Sequence, residues 1–168
     1  AMVYHIAEKQ PLHIVGIRIP LTCDMEENLK IVPNFWRTTL QGKQFTEICR
    51  LSNQEPDGIL GISVYQNPKE FYYYIGVSTN ASVPAGMFEF EIPSATWVIF
   101  GNDGRFKEDV QSVFRRFYME WLPFSGYKYA ELPDVEVYPI CGGQPADGYS
   151  EVWIAIKEED RKDAAFKV

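Results

Sequence analysis

Glu136 is the residue whose type and position most readily suggest chemistry in this sequence. It stands in Val135–Tyr138 (V-E-V-Y), where alternating side chains predict a strand and glutamate is a poor strand former. Its side chain shares a face with Tyr138, and a carboxylate beside aromatic rings in a low-dielectric site attracts cations. A solvated glutamate on the wet face of an antiparallel sheet is the alternative, and the local sequence leaves both open.

The other reactive residue types lack the spacing that would make a metal or catalytic site. The histidines and cysteines are His5, His13, Cys23, Cys49 and Cys141. No two cysteines have CxxC spacing, and neither histidine has a companion ligand at a suitable distance along the chain. The sequence therefore indicates no metal site, no cofactor and no catalytic residue set, and it leaves enzymatic activity undecided.

Composition narrows the classes of partner. The 168 residues carry a formal net charge of −7, from 16 basic and 23 acidic residues, and contain no basic run. Phosphate backbones require clustered Lys and Arg, so direct nucleic-acid binding is not expected. No apolar run approaches the roughly 20 residues of a membrane span, and no signal peptide is evident. The odd, scattered cysteines fit reduced thiols, so we expect a cytoplasmic protein with no membrane partner.

The elements that position these side chains follow from helix caps, breakers and periodicity. Pro11 divides the opening stretch 3–20 into two strands. Asp24 resembles the N-cap of a helix that contains Trp36. The later predicted elements are a short helix at 45–51, a hairpin at 59–66 and 70–78, two strands within 87–101, an amphipathic helix opening at 103, and strands at 135–140 and 149–156.

The second half of this series repeats the first. Pro11 and Pro93 both interrupt an opening strand pair, and Ser63–Tyr65 matches Glu136–Tyr138 after the helix. We therefore predict an α+β fold of tandem β-β-α-β-β half-repeats related by a pseudo-twofold axis. The half-repeats span about 3–78 and 87–157. The seam between two such halves is a natural place for a cleft.

Three stretches are distinctive in combination: Ile31–Trp36, Trp121–Tyr127 and Val135–Tyr138. Together they resemble the gyrase-inhibitor-like (GyrI-like) family, the effector-binding domain also found behind DNA-binding modules in AraC-type and MerR-type multidrug regulators. The resemblance covers nearly the whole chain. It is greatest to the stand-alone forms of the family, which include products of mobile integron gene cassettes.

The resemblance implies a single effector-binding domain over 1–168, with an eight-stranded antiparallel sheet and two main helices. It also implies a central pocket whose floor carries a glutamate among aromatic rings. The family's glutamate falls on Glu136, and the aromatic residue of its last strand falls on Trp153. The internal repeat and the first helix add further lining candidates: Tyr65, Tyr74, Tyr138 and Trp36.

Three functions are compatible with these observations. The first is binding of cationic or amphipathic, drug-like small molecules, with Glu136 as the charged anchor of a regulatory or multidrug-sensing module. The second is hydrolysis of strained or electrophilic small molecules, in which Glu136 would activate a water. The third is a protein-interaction module that acts on a topoisomerase or docks to a separate DNA-binding chain.

Overall fold

Antiparallel strands form the frame of the molecule. The computed structural model describes residues 3–102, 110–141, 144–145 and 148–159. The strands are β1 (Tyr4–Lys9), β2 (Leu12–Pro20), β3 (Ile59–Asn67), β4 (Glu70–Ser78), β5 (Phe88–Ile92), β6 (Ala95–Asn102), β7 (Tyr127–Tyr129), β8 (Val135–Tyr138), β9 (Ile140–Cys141), β10 (Gln144–Pro145) and β11 (Ser150–Glu158). Pro11 and Pro93 separate the opening strand pairs as predicted, because proline cannot donate a ladder hydrogen bond.

Helical segments connect the strands. They are α1 (Met25–Gln41), α2 (Gln44–Leu51), α3 (Val110–Arg116), a π-helical turn (Phe117–Trp121) and α4 (Leu122–Ser125). The cap prediction for α1 is confirmed, since Asp24 Oδ1 accepts a hydrogen bond from the backbone N–H of Glu26 at 2.9 Å. The predicted opening of the last helix, at Asp103, lies outside the described residues. None of the described helices combines the length and apolar character that crossing a membrane requires.

The order of strands in the sheet confirms the tandem half-repeats. It runs β1-β6-β11-β8-β3-β4-β2-β5, with β7 added beside β11. The order is symmetric about its centre: the position of β1 corresponds to that of β5, β2 to β6, β3 to β8, and β4 to β11. The pseudo-twofold axis passes between β3 and β8, which pair antiparallel at the centre. The predicted eight-stranded path is therefore present, and β7 is a ninth strand that the sequence did not indicate.

The two faces of this sheet bury different neighbours. On the helix-side face, strand side chains pack against the helices; its members include Val15, Tyr73, Tyr138 and Val152 with Trp36, Phe45, Val113 and Phe117. On the strand-only face, the buried side chains come from strands; its members include Leu60, Ile62, Tyr74, Trp97, Val135 and Trp153. Successive residues of a strand point to opposite faces, so sequence neighbours such as Tyr73 and Tyr74 belong to different environments.

Candidate functional site

Glu136 lies at the centre of the sheet, on the helix-side face. It belongs to β8, where it pairs with Val152 of β11 on one side and with Gly61 of β3 on the other. Only 8% of its surface is exposed. A carboxylate in such a position requires hydrogen-bond donors, because burying a charge without them is costly.

Two tyrosine hydroxyls supply those donors. Tyr73 Oη donates to Glu136 Oε2 at 2.7 Å, and Tyr138 Oη donates to Glu136 Oε1 at 2.7 Å. The indole N–H of Trp36 donates to Tyr73 Oη at 2.9 Å, so a helix side chain joins the same network. The ring of Trp36 also meets that of Tyr138 edge-on, with centroids 5.4 Å apart. The carboxylate is thus held rigidly between aromatic side chains from α1, β4 and β8.

The phenols remain donors because they hold their protons tightly. Burial raises the pKa of Tyr73 and of Tyr138 well above the ordinary value, and the negative charge of Glu136 raises both further. The hydroxyl protons therefore stay between the tyrosines and the carboxylate across the physiological pH range.

Gly61 provides the space that this cluster occupies. A Cβ built at Gly61 would lie 2.2 Å from Tyr73 Oη, 3.0 Å from Trp36 and 3.1 Å from Glu136 Oε2. No side chain larger than hydrogen fits there without displacing the hydroxyl. The absence of a side chain on β3 is thus a condition for the Tyr73–Glu136 hydrogen bond.

A cavity of about 450 Å³ opens above the cluster, with Glu136 and Tyr73 in its lining. This volume falls within the roughly 300–1,000 Å³ of small-molecule pockets. Its walls are largely apolar: α1 contributes Val32 and Pro33, and α3 contributes Phe114. The cavity combines a buried charge on its floor with an apolar, partly aromatic wall.

Asp134 lines the same cavity, two residues before Glu136. Its Oδ1 lies 3.4 Å from the hydroxyl of Tyr129, which also donates to the carbonyl of Leu132 at 3.0 Å. The pKa of Asp134 is raised to about 7, mainly by burial and to a lesser extent by the charge of Glu136, while the Tyr129 hydrogen bond acts in the opposite direction. The cavity therefore holds a second carboxyl, and this one titrates near neutral pH.

A larger cleft of about 830 Å³ lies elsewhere, near the turn between β1 and β2. Its described lining includes Lys9, His13, Glu55 and Thr96 and contains no Phe, Tyr or Trp. It is open and polar, and it offers neither a buried carboxylate nor a stacking surface. The smaller cavity at Glu136 is the better candidate for ligand binding.

The structure brings together four of the six residues predicted for the site. Trp36 and Tyr138 contact the Glu136 cluster as described, while Tyr65 lies at the cavity edge. Tyr65 is 63% exposed and meets Phe71 edge-on, with centroids 5.1 Å apart. An exposed ring at the edge can cover a ligand without being part of the buried cluster.

Tyr74 and Trp153 lie on the strand-only face, away from Glu136. The ring of Tyr74 packs on Phe90 at 4.5 Å, and its hydroxyl accepts a hydrogen bond from Arg18 at 3.1 Å. Trp153 packs on Trp97 at 5.8 Å. This placement differs from the predicted shared pocket. Strand alternation explains the difference, because the residues next to Tyr74 and Trp153 along their strands are the ones that point to the helix-side face.

Sequence reasoning missed Tyr73, Gly61, Asp134 and Tyr129. The signal for Asp134 was weak: it stands two residues before Glu136, but it precedes both the predicted strand and β8. Tyr73 was hidden in the aromatic run of residues 71–74, where residue type cannot show which members face the pocket.

Comparisons with known proteins agree with this architecture. A solved putative transcription regulation protein from Staphylococcus aureus MU50 is 18% identical, with a TM-score of 0.78 over 94% of this chain and 99% of that one. The structure of SAV2435 bound to tetraphenylphosphonium is 19% identical, with a TM-score of 0.79 over 93% and 94% of the two chains. An integron cassette protein from the mobile metagenome of Vibrio cholerae is 17% identical, with a TM-score of 0.63 over 92% and 95%.

These three structures share the fold of this chain. A comparison with curated proteins returned no significant match. The model of the GyrI-like small molecule binding domain matches residues 2–157, which is nearly the whole sequence. The chain therefore belongs to the GyrI-like family of small-molecule-binding domains.

Proposed function

We propose that the protein binds cationic or amphipathic small molecules in the cavity above Glu136, with this carboxylate as the anionic anchor. The observation that carries the proposal is the buried carboxylate, held by Tyr73 and Tyr138 on the floor of a largely apolar cavity. A charge in a low-dielectric site attracts an opposite charge much more strongly than it would in water. A ligand cation would therefore gain from Coulomb attraction, while its apolar body would gain from contact with the walls.

The aromatic surroundings favour the same class of ligand. The cavity lining includes the rings of Tyr65, Tyr73, Phe114 and Tyr129, and aromatic faces attract cations through their quadrupoles. Tetraphenylphosphonium, present in the structure of SAV2435, is a cation of this kind. We extend this ligand class to the present chain, in a regulatory or multidrug-sensing role that passes occupancy of the cavity to a separate DNA-binding chain.

The direct test is to titrate the protein with tetraphenylphosphonium and with neutral triphenylphosphine oxide. Binding is measured by calorimetry and by tryptophan fluorescence. Glu136→Gln keeps the side-chain shape and removes the charge. We expect this variant to bind the cation roughly 30-fold more weakly or worse, because losing one partner of a buried charge pair costs about 2 kcal/mol or more. Binding of the neutral compound should change little.

Glu91→Gln is the matched control, because it removes an exposed carboxylate on the edge strand β5. It should leave both ligands unaffected. Equal binding of the cation and the neutral compound to the unmodified protein would overturn the proposed charge selection.

Hydrolysis of strained or electrophilic small molecules is a second candidate, and Asp134 is the observation that favours it. A second carboxyl in the cavity, with a pKa of about 7, is suited to exchanging a proton at neutral pH. The test is turnover of a neutral electrophilic substrate. Turnover that is abolished in Glu136→Gln, with binding of the substrate retained, would favour the enzyme over the binding module.

A further inference from the structure

Asp134 and Glu136 form a pair of carboxyls along one edge of the cavity floor. Asp134 stands two residues before Glu136 and immediately before the first residue of β8. Both residues line the cavity. A ligand in this space is therefore within reach of two acidic groups rather than one.

The two carboxyls differ in how fully the protein satisfies them. Glu136 accepts two hydroxyl hydrogen bonds of 2.7 Å. Asp134 and the carbonyl of Leu132 compete for the single hydroxyl proton of Tyr129. The carbonyl oxygen lies nearer to the hydroxyl, at 3.0 Å, than Oδ1 of Asp134, at 3.4 Å. Among the described residues, no Lys, Arg or His forms an ion pair with Asp134. Its carboxyl is thus the one that gains most from a donor brought by a ligand.

Within the part of the chain that the structure describes, the groups around Asp134 carry no compensating positive charge. Glu136 faces it on β8, Tyr129 on β7, Tyr118 on the π-helical turn, and the lining also includes Glu131. The described residues that α1 and α3 contribute to the cavity lining are all uncharged. A second positive charge would therefore enter an environment that is acidic on one side and apolar on the other.

We propose that Asp134 is a specificity-determining residue that makes the cavity prefer ligands with two cationic groups, spaced to reach Asp134 and Glu136 together. This inference rests on the proposed function, since it assumes that Glu136 anchors a cation. Dicationic dyes and diamines are the ligand class, whereas monocations of the same size would use Glu136 alone. Binding of the second cation would draw the proton from the carboxyl of Asp134 into solution.

The probes are ethidium and propidium, which share one aromatic body and differ in that propidium carries a second, quaternary ammonium group. We expect the unmodified protein to bind propidium about tenfold more tightly than ethidium, as expected for one added interaction with a charged group. Asp134→Asn should abolish this preference and leave ethidium affinity within about threefold. Glu91→Gln should preserve the preference.

Proton release supplies a readout that a merely structural role would not change. Calorimetry near pH 7 in buffers of different ionisation enthalpy should show that the unmodified protein releases more protons when it binds propidium than when it binds ethidium. In Asp134→Asn, the two dyes should release the same number of protons. The propidium-to-ethidium affinity ratio should fall as the pH is lowered from 8 to 6, because protonating Asp134 removes the second anion. The ratio should be independent of pH in the variant.

The variants separate this proposal from the function on which it rests. If Glu136→Gln weakens both dyes while Asp134→Asn leaves the propidium preference intact, the role of Asp134 is wrong and the cation-binding function stands. If Glu136→Gln changes neither affinity, the anchor itself is wrong. Circular dichroism and thermal melts of each variant, compared with the unmodified protein, verify that the fold is retained.

Discussion

The helix-side and strand-only faces of the sheet are both rich in buried aromatic rings, yet they differ in chemistry. On the helix-side face, the polar atoms of Trp36, Tyr73 and Tyr138 form a chain of hydrogen bonds that ends on Glu136. On the strand-only face, rings pack on rings, and the buried indole N–H of Trp97 has no hydrogen-bond partner among the described residues. Aromatic content alone therefore does not distinguish a binding site from a core.

What distinguishes the faces is the combination of a charge, its donors and an empty volume. The space at Gly61 admits the hydroxyl of Tyr73, and the cavity above it remains open between the sheet, α1 and α3. On the strand-only face, the described buried side chains all belong to strands and pack directly on one another. Substitutions that change one face and spare the other test this comparison.

Gly61→Ala should have the largest effect, because its methyl group would occupy the position of the Tyr73 hydroxyl. Displacing this hydroxyl breaks the Tyr73–Glu136 hydrogen bond and disturbs the centre of the sheet. We expect a loss of about 3 kcal/mol in unfolding free energy, measured by denaturant titration, together with weaker binding of ethidium.

Gly101→Ala is the matched control for this substitution. Among the described residues, a Cβ at Gly101 would meet Tyr149 alone, at 3.7 Å, which is ordinary contact. This variant should remain within about 0.5 kcal/mol of the unmodified protein. Equal stability of the two variants would contradict the assigned role of Gly61.

Tyr73→Phe and Tyr74→Phe compare the faces by removing one hydroxyl from adjacent residues. The first takes a donor from buried Glu136 and an acceptor from the indole of Trp36, so it should cost about 1–2 kcal/mol and weaken cation binding. The second removes only an acceptor from partly exposed Arg18, so it should cost less than about 1 kcal/mol and leave binding unchanged. Thermal melts and dye titrations measure both; a larger effect of Tyr74→Phe on binding would reverse the assignment of the faces.

The smallest expected effect belongs to neither face. His13 Nε2 lies 2.6 Å from Glu89 Oε2 at the edge of the sheet, and this contact raises the pKa of the imidazole above 6.5. A raised pKa favours the folded state fully below pH 6.5, and this stabilisation is lost as the pH rises through the folded-state value. Because the pair is solvent-exposed, its contribution should stay below about 1 kcal/mol.

Melting temperatures of the unmodified protein and His13→Gln, followed from pH 5.5 to 8, test this effect. Their difference should be largest at the acidic end and shrink towards pH 8. Glu89→Gln should show the same trend, since it removes the other partner. A difference that is constant over this range would exclude the pair as the source.

Much of the fold could be predicted because its signals are local. Pro11 and Pro93 mark strand ends because proline has no backbone N–H to donate. Asp24 marks the start of a helix because its side-chain oxygen accepts a hydrogen bond from the first turn. The internal repeat then predicted how the two halves are arranged, since two similar halves related by a pseudo-twofold axis can pair their strands in few ways. The strand β7 was missed because Tyr127–Tyr129 is too short to show alternation, and its pairing with β11 depends on tertiary contacts.

The site could be predicted less completely because it depends on which face each side chain reaches. Glu136 was identifiable as an acid in an apolar strand, and Trp36 and Tyr138 followed from the resemblance and the repeat. Tyr73 could not be separated from Tyr74, because in an aromatic run the face is set by pairing register rather than by residue type. The importance of Gly61 is visible only when Tyr73, Trp36 and Glu136 are seen around it.

The pairing of β1 with β6, and of β5 with β2, means that each half lends its first strand to the other. Neither half is then a complete sheet by itself: cutting the chain between them would leave each fragment without the strand that covers its outer edge. Fragments of this kind are expected to recombine, either as a complementing pair or as a swapped homodimer. Because each half depends on a strand of the other, the domain should unfold in one cooperative step. A ligand bound between the halves should therefore stabilise both of them against unfolding.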